Sequence, residues 1–280
     1  MNNSLVILKK ILKRPLSLFG AILVCIMVLI SLIPNVFSNY DPFEMRVEER
    51  LLPPSKTHFC GTDEMGRDIF SRIMHGIRLS LQAGLIAIII AVIFGTFLGT
   101  IAGYLEGKIY ASVIMRVSDI FLAFPPLVMA MAIVAALGPS LTNASFALGI
   151  TWWPQYTRLT YAQVASAKNF LYVEAALAVG IRTSRIMFVH ILPNCLGPLI
   201  VKTTLDIGYA ILYAASLSFI GLGAPPPTPE LGTLITMGRN FLLDSWWYST
   251  FPGFTIFLIV MGFNFLGDGI RDALDPNLRI

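Results

Sequence analysis

The chain has 280 residues, of which 56% are hydrophobic and 13% charged. Its mean hydropathy is +0.74, and soluble chains carry about 25% charged residues, so an ordinary soluble domain is excluded. The net charge of +4 does not argue for nucleic acid, because the basic residues gather in particular loops and form no aromatic-interleaved face.

A hydrocarbon core roughly 30 Å thick takes about 20 apolar residues per helix, so five or six crossings fit. Lys9, Lys10, Lys13 and Arg14 precede an uncharged apolar stretch from Pro15 to Pro34. A signal-peptide core is only about 7 to 15 residues long and ends in a small-residue cleavage site, which Ile33-Pro34-Asn35-Val36 does not supply. The stretch therefore reads as an uncleaved first span, with residues 1–14 cytoplasmic. Residues 35–78 carry charges of both signs and read as an external loop. A second span is predicted from about Leu79 to Tyr104, where Gly84, Gly95, Gly99 and Gly103 fall near helical repeats and favour close packing.

After Glu106, Lys108 and Arg116, no charge occurs from Ile120 to Thr157. That length holds a third and a fourth span, with Gly138-Pro139-Ser140 as the turn between them. Residues 158–195 form the most basic internal loop, with Arg158, Lys168, Arg182 and Arg185 against Glu174 alone. The positive-inside rule places it in the cytoplasm, and four crossings after a cytoplasmic N-terminus agree. A fifth span follows from about Leu196 to Gly223. Residues 224–250 lie outside, stiffened by Pro225-Pro226-Pro227-Thr228-Pro229. A sixth span covers about Phe251 to Leu266, and the tail 267–280 returns to the cytoplasm. The expected fold is one all-α polytopic membrane domain over residues 15–280, with six helices, both termini cytoplasmic and no internal repeat.

Cys25, Cys60 and Cys195 have no CxxC or metal-ligand spacing, so neither a disulfide nor a zinc site is read. A metal site from His58, Asp63 and Asp68 has one histidine and scattered carboxylates, too weak a pattern to adopt. No G-x-x-x-x-G-K-[ST] occurs, so ATP has no P-loop here. GxSxG, HExxH and Cys/His clusters are absent too. Inside the spans, ionisable residues are functional candidates. Lys202 and Asp206, four apart, share a helix face and neutralise each other, either as a structural pair or as a gate or pathway contact. Asp119 opens the third span, and Asn264 is expected to bond across helices.

Within the basic loop, Glu174-Ala175-Ala176 is followed by Gly180, and His190-Ile191-Leu192-Pro193 closes the segment. Tyr172 to Ala178 favours a short helix, Gly180 supplies a break before a second one, and Pro193 ends or kinks that second helix. Glu174 either caps the first turn or touches a partner. Arg182 and Arg185 are positive-inside markers or pair with acidic residues of a partner. This segment resembles the coupling loop of an ATP-binding-cassette importer permease, with His190 where the general pattern has an apolar residue.

The external stretch from His58 to Arg72 resembles H-x-L-G-T-D-x-x-G-R-D-x-x-S-R, a segment of the peptide and nickel importer subfamily, with Cys60 replacing the leucine. Its Gly61, Thr62, Asp63, Gly66, Arg67 and Asp68 suit an ordered cap over the external mouth. Ser218-Phe219-Ile220-Gly221-Leu222-Gly223 and the tail Gly267 to Arg279 resemble the same subfamily, and the matches together cover nearly the whole chain. The chain is thereby identified as similar to the C-type permeases of dipeptide, oligopeptide or nickel importers, with a type I importer (MetI-like) fold.

The resemblance implies a non-catalytic subunit in the inner membrane of a prokaryote. Its partners would be a homologous B-type permease, two P-loop ATPases that hold ATP-Mg, and an external solute-binding protein; the chain itself needs no cofactor. Ala175, Ala176 and Leu192 join Glu174, Gly180, Arg182, Arg185 and Pro193 as coupling residues. Peptide and nickel permeases share these signatures. An ATPase-independent secondary transporter is the reading from another class, but it calls for inverted repeats and midplane charges that this chain lacks.

Overall fold

A computed structural model describes residues 14–274. The basic residues Lys9, Lys10 and Lys13, and the end of the tail from Asp275, lie outside the described residues. Among the described residues the chain is helical, with a single isolated bridge between Thr62 and Asp68 in place of any strand. Helix α1 spans Pro15–Leu32, with proline at its first position, where a missing N–H costs nothing. Helix α2 spans Ile69–Tyr104, α3 Ile109–Leu122, α4 Pro126–Leu137 and α5 Leu141–Ala167. The short α6, Leu171–Ala178, leads through an irregular helical run into α7, Leu196–Phe219. Another short helix, α8 at Leu231–Gly238, precedes α9, Trp247–Leu274.

Among the described residues, four helical segments are long and apolar enough to cross a membrane: α1, α2, the continuous path Thr183–Phe219, and α9. A fifth is reached if α3 and α4, bent by 88° to one another, make one broken span. The expectation of six spans is thus met in part. Helix α5 is long enough at 27 residues but, carrying Gln155, Arg158 and several hydroxyls, is not among the apolar ones.

Two boundaries need correction. Helix α2 begins at Ile69, ten residues before the expected Leu79, because Asp68 accepts the Ser71 N–H at 2.7 Å and caps it. The third span does not begin at Ile120: α3 already runs from Ile109, and Pro125-Pro126 breaks it from α4, since neither proline can donate. The turn at Gly138 stands as expected, with φ of +94°, and Ser140 caps α5 through the Asn143 N–H at 3.0 Å.

The core has two large parts. One gathers Met27 and Ile30 of α1, Ile69 to Leu81 of α2, and Tyr248 to Phe263 of α9. The other joins α2, α4, α5 and α7 around Ala87, Ala147, Tyr156 and Ala210. Gly95, Gly99 and Gly103 let α5 approach so closely that a Cβ at Gly95 would lie 2.4 Å from the Trp153 carbonyl. At one end of the bundle Arg14 pairs with Asp272, so the start of α1 and the end of α9 lie together.

Candidate functional site

The segment 171–195 builds a projecting element. Val173 and Ala176 on one face of α6 are buried in a small cluster with Val164, Ala167, Ile186, Ile191 and Cys195. The other face is left bare: Leu171 and Val179 are each 82% exposed, and Tyr172 and Leu177 also face outward. Glu174 and Ala175 lie on that open side, whereas Ala176 is part of the anchor.

Helix α6 ends as a glycine demands. Gly180 has φ of +78°, its N–H reaches the Leu177 carbonyl at 3.0 Å, and the Ile181 N–H reaches that of Ala176 at 3.1 Å, which is a Schellman closure. Ile181 packs on the same cluster as Ala176. Past the exposed Arg182 and Arg185, the chain makes a π-helical segment, Ile186–Ile191, then a 3₁₀ turn, Leu192–Cys195, holding Pro193. A proline with no N–H is accommodated there by changing the helical pitch, so the path bends and does not stop. Glu174 sits in the first turn of α6, where a carboxylate favours the positive end of the helix dipole, while Phe170 at the helix start offers no capping side chain. Nearby, at the ends of α2 and α5, Glu106 accepts from Lys168 Nζ at 2.8 Å and from Tyr161 Oη at 3.2 Å. These bonds hold its carboxyl below the usual range.

At the other polar region, residues 39–68 fold into a cap around buried charges. Asp63 Oδ1 accepts the N–H groups of Met65 and Arg67, and its Oδ2 lies 2.6 Å from Arg67 Nε and 3.6 Å from Arg72 Nε. Arg72 also donates to the carbonyls of Pro42 at 2.9 Å and Pro227 at 3.2 Å. One guanidinium thereby ties residues 39–46 to the proline-rich loop. Thr62 binds the carbonyl of Glu49 and accepts from the Leu52 N–H. Gly61 and Gly66 both have positive φ, and a Cβ at Gly66 would strike the Arg46 carbonyl at 1.8 Å.

His58 does not join Asp63. Its Nδ1 lies 2.9 Å from Asp68 and its Nε2 3.4 Å from Glu49. Burial and the Asp68 charge push the Cys60 thiol up to about 12.

The third group lies within the bundle. Lys202 Nζ is 2.9 Å from Asp206 Oδ2, as the four-residue spacing predicts, and Tyr156 Oη donates to the same oxygen at 2.8 Å. Gln155 accepts from Lys202 at 3.1 Å. Asp119 is elsewhere. It sits in the last turn of α3 and pairs with Arg158 of α5 at 2.5 Å, so it closes a helix and does not open one. Asn264 makes no side-chain hydrogen bond among the described residues.

Sequence reasoning missed four participants. Arg72 closed a quoted motif but was not singled out as the center of the cap. Tyr156 and Gln155 gave no local signal. Glu230, fully buried, caps α8 through the Thr233 N–H at 2.9 Å and accepts from Ser80 of α2 at 3.0 Å; glutamate is not one of the usual helix-start residues, so no start signal marked it.

Residues 95–280 match the family described as binding-protein-dependent transport system inner membrane component. Residues 6–54 match the N-terminal TM domain of oligopeptide transport permease C. The chain is 47% identical to the probable D,D-dipeptide transport system permease protein DdpC of Escherichia coli (strain K12), over 94% of this chain and 88% of that one. It is 46% identical to the dipeptide transport system permease protein DppC of Alkalihalophilus pseudofirmus, over 97% and 89%. In fold it is similar to a chain of the inward-facing MetNI methionine ABC transporter, with a TM-score of 0.58 at 18% identity, covering 72% of this chain and 96% of that one.

Proposed function

Because this chain belongs to the family of binding-protein-dependent transport system inner membrane components, we propose that it is the permease subunit of an ATP-binding-cassette importer for di- or oligopeptides. In this reading it spans the inner membrane of a prokaryote six times, with both termini cytoplasmic, and carries out no chemistry itself. It works with a homologous B-type permease, two P-loop ATPases that bind ATP-Mg, and an external solute-binding protein. The dipeptide permeases among its relatives favor a peptide over a nickel substrate.

The observation that carries the reading is α6: a short helix anchored on one face by Val173 and Ala176, with Leu171, Tyr172, Leu177 and Val179 left open on the other. Exposed apolar residues on a rigid mount are a docking face. Arg182 and Arg185 flank it, Glu174 stands on it, and Leu192 and Pro193 join it to α7. A partner that grips this face in two nucleotide-dependent positions biases the bundle by its differential affinity for the two states. The cap around Asp63, Arg67 and Asp68 braces the outer mouth where the solute-binding protein docks.

Mild-detergent purification of the chain from native membranes, with and without trapped ATP, tests this. P-loop ATPases, a homologous permease and a solute-binding protein that binds short peptides should copurify. A stable chain with no ATPase in any nucleotide state would overturn it in favor of a secondary transporter. A copurified binding protein that holds nickel and no peptide would replace the substrate.

A further inference from the structure

A cavity of about 550 Å³ opens beside α7 and is lined by Leu159, Lys202, Leu205, Asp206, Tyr209 and Arg271 among others. Its volume falls in the range of small-molecule sites, roughly 300–1,000 Å³. Most of the wall is apolar, and the charged groups on it are of both signs. Ionisable groups within a bundle are costly to keep and mark pathways by default.

The Lys202–Asp206 pair is built to be interrupted. Both residues line the cavity, and their side chains are 27% and 12% exposed. Each head also keeps a second partner when the other leaves. Asp206 Oδ2 holds the Tyr156 hydroxyl at 2.8 Å. Lys202 Nζ holds Gln155 Oε1 at 3.1 Å and stands 5.3 Å from the Tyr156 ring center. A buried pair broken by removing one partner would leave an uncompensated charge; here each head keeps a hydrogen bond, and the opposite charge of a solute takes the lost partner's place.

Resting on the peptide-importer reading above, we infer that this pair receives the charged ends of a short peptide in transit. Lys202 takes the C-terminal carboxylate by a charge-assisted hydrogen bond, and Asp206 takes the N-terminal ammonium. Leu159, Leu205 and Tyr209 offer side chains an unspecific apolar wall. The site reads the zwitterion and not the sequence, as a carrier of many peptides requires.

The test uses the assembled permease–ATPase complex without its solute-binding protein, so that the latter's selectivity does not enter. Equilibrium binding is measured for dialanine, its C-terminal amide and its N-acetyl form. Wild type should bind dialanine at least about tenfold more tightly than either capped form, the loss expected for one charged hydrogen bond. Lys202→Met should abolish discrimination against the amide but keep that against the N-acetyl form, and Asp206→Asn the converse. The double variant Lys202→Met/Asp206→Asn leaves no lone charge, so it keeps the fold, and it should lose both preferences. Unchanged discrimination in these variants overturns the inference. So does the absence of saturable dialanine binding to a wild-type complex that takes up dialanine once the binding protein is added. If wild type imports neither dialanine nor longer alanine peptides even then, the peptide reading itself fails, and the inference with it.

Discussion

Arg67 Nε lies 2.6 Å from Asp63 Oδ2, and neither side chain is more than 2% exposed. Arg72, wholly buried, approaches the same oxygen from α2. Asp63 therefore faces two buried guanidinium groups at once, with Glu64 Oε1 adding a weaker contact to Arg67 Nη2 at 3.6 Å. Asp63→Asn should cost about 3–5 kcal/mol, the penalty for stranding a buried charge partner. It should also open residues 39–68 to limited proteolysis. An unchanged thermal midpoint and digestion pattern would show that the cap does not depend on this acid.

Gly180 gives a cleaner separation of fold from function. Nothing lies within 4 Å of a Cβ built there, so its requirement is the positive φ alone. Gly180→Ala should cost roughly 1 kcal/mol from the left-handed backbone and reduce transport in part. Gly180→Pro also deletes the N–H that reaches Leu177 and cannot take positive φ. It should assemble in the membrane yet lose substrate-stimulated ATP hydrolysis. Normal transport by the proline variant would remove α6 from the coupling role.

Much of this was legible because it is local. The breaks at Gly138 and Gly180 need positive φ, the glycines of α2 fall on one helical face, and Lys202 and Asp206 are one turn apart. What escaped is decided by distant residues. A window over Arg72, His75 and Arg78 reads polar and hides the start of α2, but Arg72 is neutralized by Asp63 across a loop. Asp119 finds Arg158 on another helix, and Tyr156 finds Asp206 fifty positions away. No periodicity announces such pairs.

Cysteine chemistry tests the topology. Cys60 lies in the proposed external loop, but its thiol is raised to about 12, against about 8.5 for a free cysteine. Its thiolate fraction at neutral pH is lower by roughly three orders of magnitude, so it should resist a membrane-impermeant maleimide even on the accessible face. Lys56 is exposed on the same loop. Lys56→Cys should label readily in intact spheroplasts while Cys60 does not. Labeling of Lys56→Cys only after permeabilization would invert the proposed orientation.

Glu106 should give a stability that depends on pH in one direction. Its folded-state carboxyl is depressed by the Lys168 and Tyr161 hydrogen bonds. The contribution is then fully present above the unfolded carboxylate value near 4.5 and disappears as pH falls through the lower folded value. Thermal midpoints of wild type and Glu106→Gln should differ at pH 7 and converge in acid. A gap that persists or widens below pH 4 would mean that the bond does not favor the ionized form.

The seam between α2 and α5 offers a matched pair of substitutions. A Cβ at Gly99 would lie 2.5 Å from the Thr157 carbonyl and 2.7 Å from Thr160 Cβ, whereas one at Gly253 of α9 meets only Ile235 Cδ1, at an ordinary 3.9 Å. Both glycines lie inside helices, so alanine brings a similar gain in helix propensity to each, about 1 kcal/mol. At Gly253 that gain should stand. At Gly99 the backbone of α5 must retreat, and overpacking of this kind costs typically 1–3 kcal/mol, enough to cancel or reverse it. Gly253→Ala should therefore raise the thermal midpoint and Gly99→Ala lower it. Equal shifts would show that the two helices are not in the close contact that their glycines permit.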